Sequence, residues 1–157
     1  MTTTLLPSSS RVDLGLAVLR LTTGTIFLAH GAQKLFVYGF GGVSGAFGGM
    51  HVPAPAITGP LTGVVEFFGG LALIFGLLTR LAGFGLAVTM IGAIAFVHLA
   101  AGFFAPSGIE YPLSLLGATL AIAIAGAGRY SLDAIISDRR TSSRPADLST
   151  RSVPRAA

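Results

Sequence analysis

Three polar side chains interrupt an apolar run near the start of the sequence, where His30, Gln33 and Lys34 lie within Phe27-Leu-Ala-His-Gly-Ala-Gln-Lys-Leu-Phe36. Residues four apart share a helix face, which stacks His30 and Lys34 with Gln33 beside them. A Lys or Arg at the centre of a bilayer helix costs about 2.5–3.5 kcal/mol on insertion scales, so such groups face protein, water or the interface. Glu66, His98 and Glu110 recur in similarly apolar surroundings. A buried carboxylate needs a cation or it neutralises, and His30 and Lys34 are the candidates for Glu66. Carboxylates and histidines held together can also carry protons near neutral pH. His30 and His98 on separate helices would permit a bis-histidine haem or metal site, although no ligand-spacing motif accompanies them.

The elements that position these groups follow from composition. Of 157 residues, 52% are hydrophobic and 10% charged, and the mean hydropathy is +0.80, against about 25% charged residues in soluble domains. The chain reads as an integral, multi-pass membrane protein. Its apolar segments are about twenty residues long, which predicts helices rather than barrel strands. The expected architecture is an all-α transmembrane four-helix bundle with spans at about 14–36, 61–78, 81–101 and 112–127. Residues 1–13 read as a disordered tail and 134–157 as a basic one. The segment 37–60, rich in Gly and Pro, reads as a loop able to fold back over the bundle as a lid. A shift of 68 positions aligns Gly24, Ile26, His30, Ala32 and Phe36 with Gly92, Ile94, His98, Ala100 and Phe104, which suggests two related helical hairpins.

Arg11, Arg80, Arg129, Arg139 and Arg140 fall on one side of the spans and none on the other, so both termini are expected in the cytoplasm, with the protein in the cell membrane. Arg20, Arg80 and Arg129 are the cytoplasmic-side cations, with Arg20 expected to snorkel or to pair with the tail. The basic tail suits a membrane surface better than nucleic acid, since no basic, aromatic-interleaved surface accompanies it. The absence of cysteine removes disulfides, thiol relays and Cys-held metal clusters.

By helical rise, His30, Lys34, Glu66 and His98 lie roughly 6–13 Å to the outer side of the bilayer centre, and Glu110 just precedes the fourth span. This polar cluster admits two readings, a structural ion pair or a ligand and proton site. Phe27, Phe36, Phe67, Phe103, Phe104 and Tyr111 surround it. An aromatic cleft with a few converging polar groups is what a planar ligand such as a quinone head group needs.

Leu19-Arg20-Leu21 with Gly24, the Phe27 to Phe36 run, Glu66-Phe-Phe-Gly-Gly70, Gly76-Leu-Leu-Thr-Arg80, His98 with Gly102-Phe-Phe104, Gly108-Ile-Glu110-Tyr-Pro112 and Gly126-Ala-Gly-Arg-Tyr-Ser-Leu-Asp133 follow in order. Together they resemble the DoxX family of small four-helix membrane proteins. The resemblance implies a link to a thiosulfate:quinone oxidoreductase and to membrane redox complexes, with any thiol chemistry residing in a partner. The expected function is a quinone-linked or redox-complex membrane subunit with an outward-facing polar site. Two other classes stay open: a small-solute or proton-coupled transporter built as a homo-oligomer, and a structural anchor for partner subunits.

Overall fold

A computed structural model describes residues 8–142, and every regular element in that range is helical. Helix α1 (Ser8–Ala32) continues through a π-helical segment, Gln33–Tyr38, into α2 (Gly39–Gly49). Helix α3 spans Pro55–Phe75. Helix α4 (Thr79–Ala93) runs into a second π-helical segment, Ile94–His98, and a 3-10 turn, Leu99–Ala101. Helices α5 (Glu110–Ala125) and α6 (Leu132–Ser142) complete the chain. Residues 9–49, 55–75 and 79–101 are helical stretches long and apolar enough to cross a membrane, and α5 is a shorter apolar helix.

Helix α1 packs most closely on α3, and α4 on α5, giving two hairpin-like pairs joined through α3 and α4. A buried core of Phe27, Leu73, Leu86, Met90, Leu115 and Ile122 lies among them. The α1–α3 contact is backbone to backbone. A Cβ added to Gly31 would meet the Phe67 nitrogen at 2.3 Å, and one added to Gly70 would meet the Leu28 nitrogen at 2.5 Å and the Gly24 carbonyl at 2.7 Å. Such small-residue crossings let helices associate where lipid offers no hydrophobic gain. Gly83 does the same for α4 on α5, facing Ala123 and Thr119 at 3.0 Å.

Three expectations change. Residues 39–49 form a helix, α2, packed against the start of α3 with Val43 buried on Gly59, so the loop expected over 37–60 shrinks to a short connection. Inside a membrane protein every backbone group must be hydrogen-bonded internally, which outweighs the poor helix propensity of glycine. The first tail is helical from Ser8, and the second is helical through Ser142. The remainder of both expected tails lies outside the described residues.

At the arginine-rich end, Arg20 is buried rather than snorkelling, with 2% of its surface exposed. Its Nη1 donates to the Leu73 carbonyl at 3.2 Å and its Nη2 to the Tyr130 carbonyl at 2.6 Å. Its Nε has no hydrogen-bond partner among the described residues. Gly76, at φ 64°, leaves room for this guanidinium, since a Cβ there would collide with Nη1. Asp13 accepts from the Arg129 backbone N–H at 3.1 Å. Asp133 bridges α6 to α4 by accepting from the N–H groups of Leu78 and Thr79, both at 2.9 Å, and so caps the start of α4. It also supports Leu78 at φ 48°, a left-handed conformation costly for a leucine.

A glycine at a backbone crossing and a glycine on an open face should respond oppositely to the same change. Gly70→Ala forces α1 and α3 apart and should lower the detergent melting temperature by the equivalent of about 1–3 kcal/mol, the usual cost of overpacking. Gly117→Ala, where a Cβ meets nothing within 4 Å, should leave the melting temperature unchanged or raise it. Equal effects would contradict the crossing geometry.

The Asp133 cap carries a pH signature. Partial burial pushes the carboxyl up, but hydrogen bonds from Thr79 and Leu78 and the charge of Arg20 outweigh it and hold Asp133 below its ordinary value of 3.8. The α6 attachment is therefore complete above that value and is lost as pH falls through the lower, attached-state pKa. Hydrogen exchange at Leu78 and Thr79 should accelerate on acidification through that range, and Asp133→Asn should remove the pH dependence.

Candidate functional site

Glycine at the α1–α3 crossing decides which side chains meet. With the backbones touching at Gly31 and Phe67, the π-helical turn that follows α1 carries Lys34 directly over Glu66, and Gly63 leaves room for the Lys34 stem, whose Cβ lies 3.2 Å from a Cβ built there. Lys34 Nζ donates to Glu66 Oε2 in a close ion pair. The Glu66 side chain is 5% exposed and that of Lys34 is 20% exposed. His30 and Tyr111 lie within electrostatic range of this carboxylate.

The pair lines a cavity of about 630 Å³. Helix α3 contributes Thr58, Leu61, Thr62, Val65 and Glu66, and α4 contributes Phe84, Val88, Thr89, Gly92 and Ala93. Phe47, Met50 and Val52, from the end of α2 and the turn after it, close one side. Phe96, Val97 and His98 complete the lining from the second π-helical segment. Lys34 and His98, the two basic side chains of the cavity, both stand on π-helical segments. Such segments widen the helix and re-aim its side chains, and they recur at functional sites.

The sequence-predicted cluster is thus divided. Lys34, Glu66 and His98 share the cavity, whereas His30 on α1 and Gln33 at the start of the π-helical segment are exposed outside its lining. Glu110 accepts from the Ala105 N–H at 2.7 Å and lies outside the cavity lining. His98 Nδ1 lies 2.7 Å from the Ser107 carbonyl, which can only accept, so Nδ1 carries the hydrogen and Nε2 is the basic nitrogen of the neutral ring. Both residues therefore secure the connection between α4 and α5.

The aromatic surround also changes membership. Phe27 is a core residue, 1% exposed. Phe36 and Phe67 pack edge to face at 5.4 Å, and Phe103 and Phe104 at 5.2 Å, while Phe36, Phe104 and Tyr111 are exposed on the bundle surface. None of these lines the cavity, whose aromatic walls are Phe47, Phe84 and Phe96. Apolar residues surround each span on all sides, so no sequence pattern marks which phenylalanines face inward.

At the opposite end, Arg80 and Asp133 line an open cleft of about 530 Å³ with the backbone of residues 125–128. Arg80 and Arg129 are exposed there, as expected for cations at a membrane face.

Breaking the ion pair leaves one ion uncompensated in an apolar site, which costs about 3–5 kcal/mol where burial is complete. Glu66→Leu should approach that loss in detergent melts. Glu66→Gln, which keeps hydrogen-bonding shape, should lose less, and Lys34→Met with Glu66→Leu together should recover most of the stability. Additive single-site losses would mean that the two groups do not depend on each other.

Comparison with known proteins agrees with the fold. The DoxX family model matches residues 15–99, and a second model, described as TQO small subunit DoxD, matches residues 58–148. The chain is 36% identical to the Mycobacterium tuberculosis membrane protein Rv3486, over 78% of this chain and 82% of that one. It is 33% identical to CatD of Bacillus subtilis, provisionally named an oxidoreductase, over 79% and 88% respectively. It is 31% identical to the inner membrane protein YqjF of Escherichia coli, over 81% and 95%. No solved structure matches. With the matched region running through the α1–α3 crossing and the Lys34–Glu66 pair, the chain belongs to the DoxX family of membrane proteins.

Proposed function

We propose that this chain is the quinone-binding membrane subunit of a redox complex in the cell membrane, its arginine-rich end in the cytoplasm and its Lys34–Glu66 cavity in the outer half of the bilayer. The observation that carries the reading is an ion pair lining a largely apolar cavity bounded by α2, α3 and α4. Its volume falls within the range of small-molecule and cofactor sites, about 300–1,000 Å³, and its few polar groups converge as such sites require. The provisional oxidoreductase name of the Bacillus relative and the match to the TQO subunit model support the same class.

A bound quinone supplies two-electron, two-proton chemistry. The chain's own groups fit that ligand. Phe47, Phe84 and Phe96 give flat apolar contacts for a ring, and the Lys34 ammonium is a hydrogen-bond donor suited to a carbonyl oxygen. Glu66 fixes the position of that ammonium, and His98 Nε2 is a second proton-accepting group in the same lining. The chain contains no cysteine, so thiol oxidation falls to a partner subunit. The arginine distribution supports this orientation.

Gly92 lines the cavity, and a Cβ there meets nothing within 4 Å, so Gly92→Leu occupies ligand space without colliding with the bundle. Native mass spectrometry of the gently extracted protein should show a quinone adduct. Gly92→Leu should weaken added ubiquinone or menaquinone analogues at least about tenfold, equivalent to roughly 1.4 kcal/mol, with no loss of melting temperature. Gly117→Leu, on an open outer face, should bind as the wild type does. Undiminished binding by a folded Gly92→Leu protein would place the ligand elsewhere.

A further inference from the structure

Helix α6 is attached to the bundle through its first turn. The Asp133 N–H donates to the Gly76 carbonyl at 2.9 Å, its carboxylate caps α4, and Ser131 Oγ accepts from the Ala134 N–H at 3.1 Å. At helical spacing, Leu132, Ile135, Ile136, Arg139 and Arg140 fall in a single arc of about 140°. Asp133, Ala134, Ser137 and Asp138 occupy the other side, so both acidic residues of the helix are excluded from that arc. The three aliphatic side chains are 40%, 49% and 40% exposed in order, and both arginines are exposed.

Charge and size identify what covers this face. Arg11, Arg80 and Arg129 are exposed at the same end of the bundle as Arg139 and Arg140. A stable protein interface takes roughly 20–30 residues a side, and this arc offers five. Aliphatic side chains followed one turn later on the same face by arginines, whose long stems reach headgroup phosphates, match instead the boundary between lipid headgroups and acyl chains. We propose that α6 docks on the bilayer surface at the arginine-rich end, its three aliphatic side chains in that boundary and Arg139 and Arg140 on phosphates of anionic phospholipids. The attachment at Asp133 holds the helix at the bundle base while its remaining turns lie on lipid. This docking is independent of what the cavity binds.

The chain is free of native cysteine, so Ile136→Cys and, on the opposite side, Ser137→Cys can each carry an environment-sensitive fluorophore in the full-length protein. The protein is placed in nanodiscs of phosphatidylcholine alone or with about one-quarter phosphatidylglycerol, and acrylamide, a neutral quencher, reports water access. The label at 136 should be several-fold less quenched when phosphatidylglycerol is present, and the label at 137 should not change. Each arginine near an anionic surface contributes about a fivefold preference. Replacing both by glutamine should therefore lower the docked-to-free ratio roughly thirtyfold, and about 0.5 M salt should act in the same direction. Equal shielding at 136 without anionic lipid, or equal quenching in both compositions, would overturn the proposal. Shielding that follows the number of chains per disc instead of lipid composition would also overturn it, in favour of a second copy.

Discussion

The rest of the structure depends on the backbone contact between α1 and α3. In lipid, apolar side chains gain nothing by leaving one apolar surface for another, so helix pairs are held by close packing and by polar groups that have no other partner. Gly24, Gly31 and Gly70 supply the first, because any side chain there would strike the facing backbone. The second follows in register, since Lys34 stands three residues beyond Gly31 and Glu66 adjoins the residue that Gly31 touches. Widening this crossing by one methyl group would separate the ion pair as well as the helices.

The pair in turn gives the cavity its polarity. Around it the walls are threonine, aliphatic and aromatic residues, with a second basic group, His98, in the same lining. The opposite end is built from different chemistry: a buried arginine held by two carbonyls, a carboxylate capping a helix, and a short helix carrying arginines outward. The two ends of the bundle therefore differ in chemistry, with an ion pair beside a cavity at one and arginines with capping groups at the other.

Much of this was legible in the sequence, for stated physical reasons. Spans could be counted because a 30 Å hydrocarbon core needs about twenty apolar residues. His30 and Lys34 could both be named as partners for Glu66 because a buried charge demands one, and the structure selects Lys34. The cavity walls could not be read, because helices that are apolar all round carry no mark of which face turns inward. The sequence therefore points to Phe36, Phe103 and Phe104 around the polar cluster, although Phe47, Phe84 and Phe96 line the cavity. Glycine content hid α2, since propensities measured in water lose their force where backbone groups have no water to bond. Arg20 read as a snorkelling cation because its partners are main-chain carbonyls of Leu73 and Tyr130, which no side-chain pattern announces.

The central claim is that the ligand sits between α3 and α4 beside the Lys34–Glu66 pair. A photoreactive quinone, activated with the protein in native-like membranes and followed by peptide mapping, locates it directly. The account predicts cross-links to Phe47, Phe84, Val88 or Phe96, all competed away by excess unmodified quinone. Competed cross-links confined to the exposed surface around Phe36, Phe103 and Phe104 would contradict it.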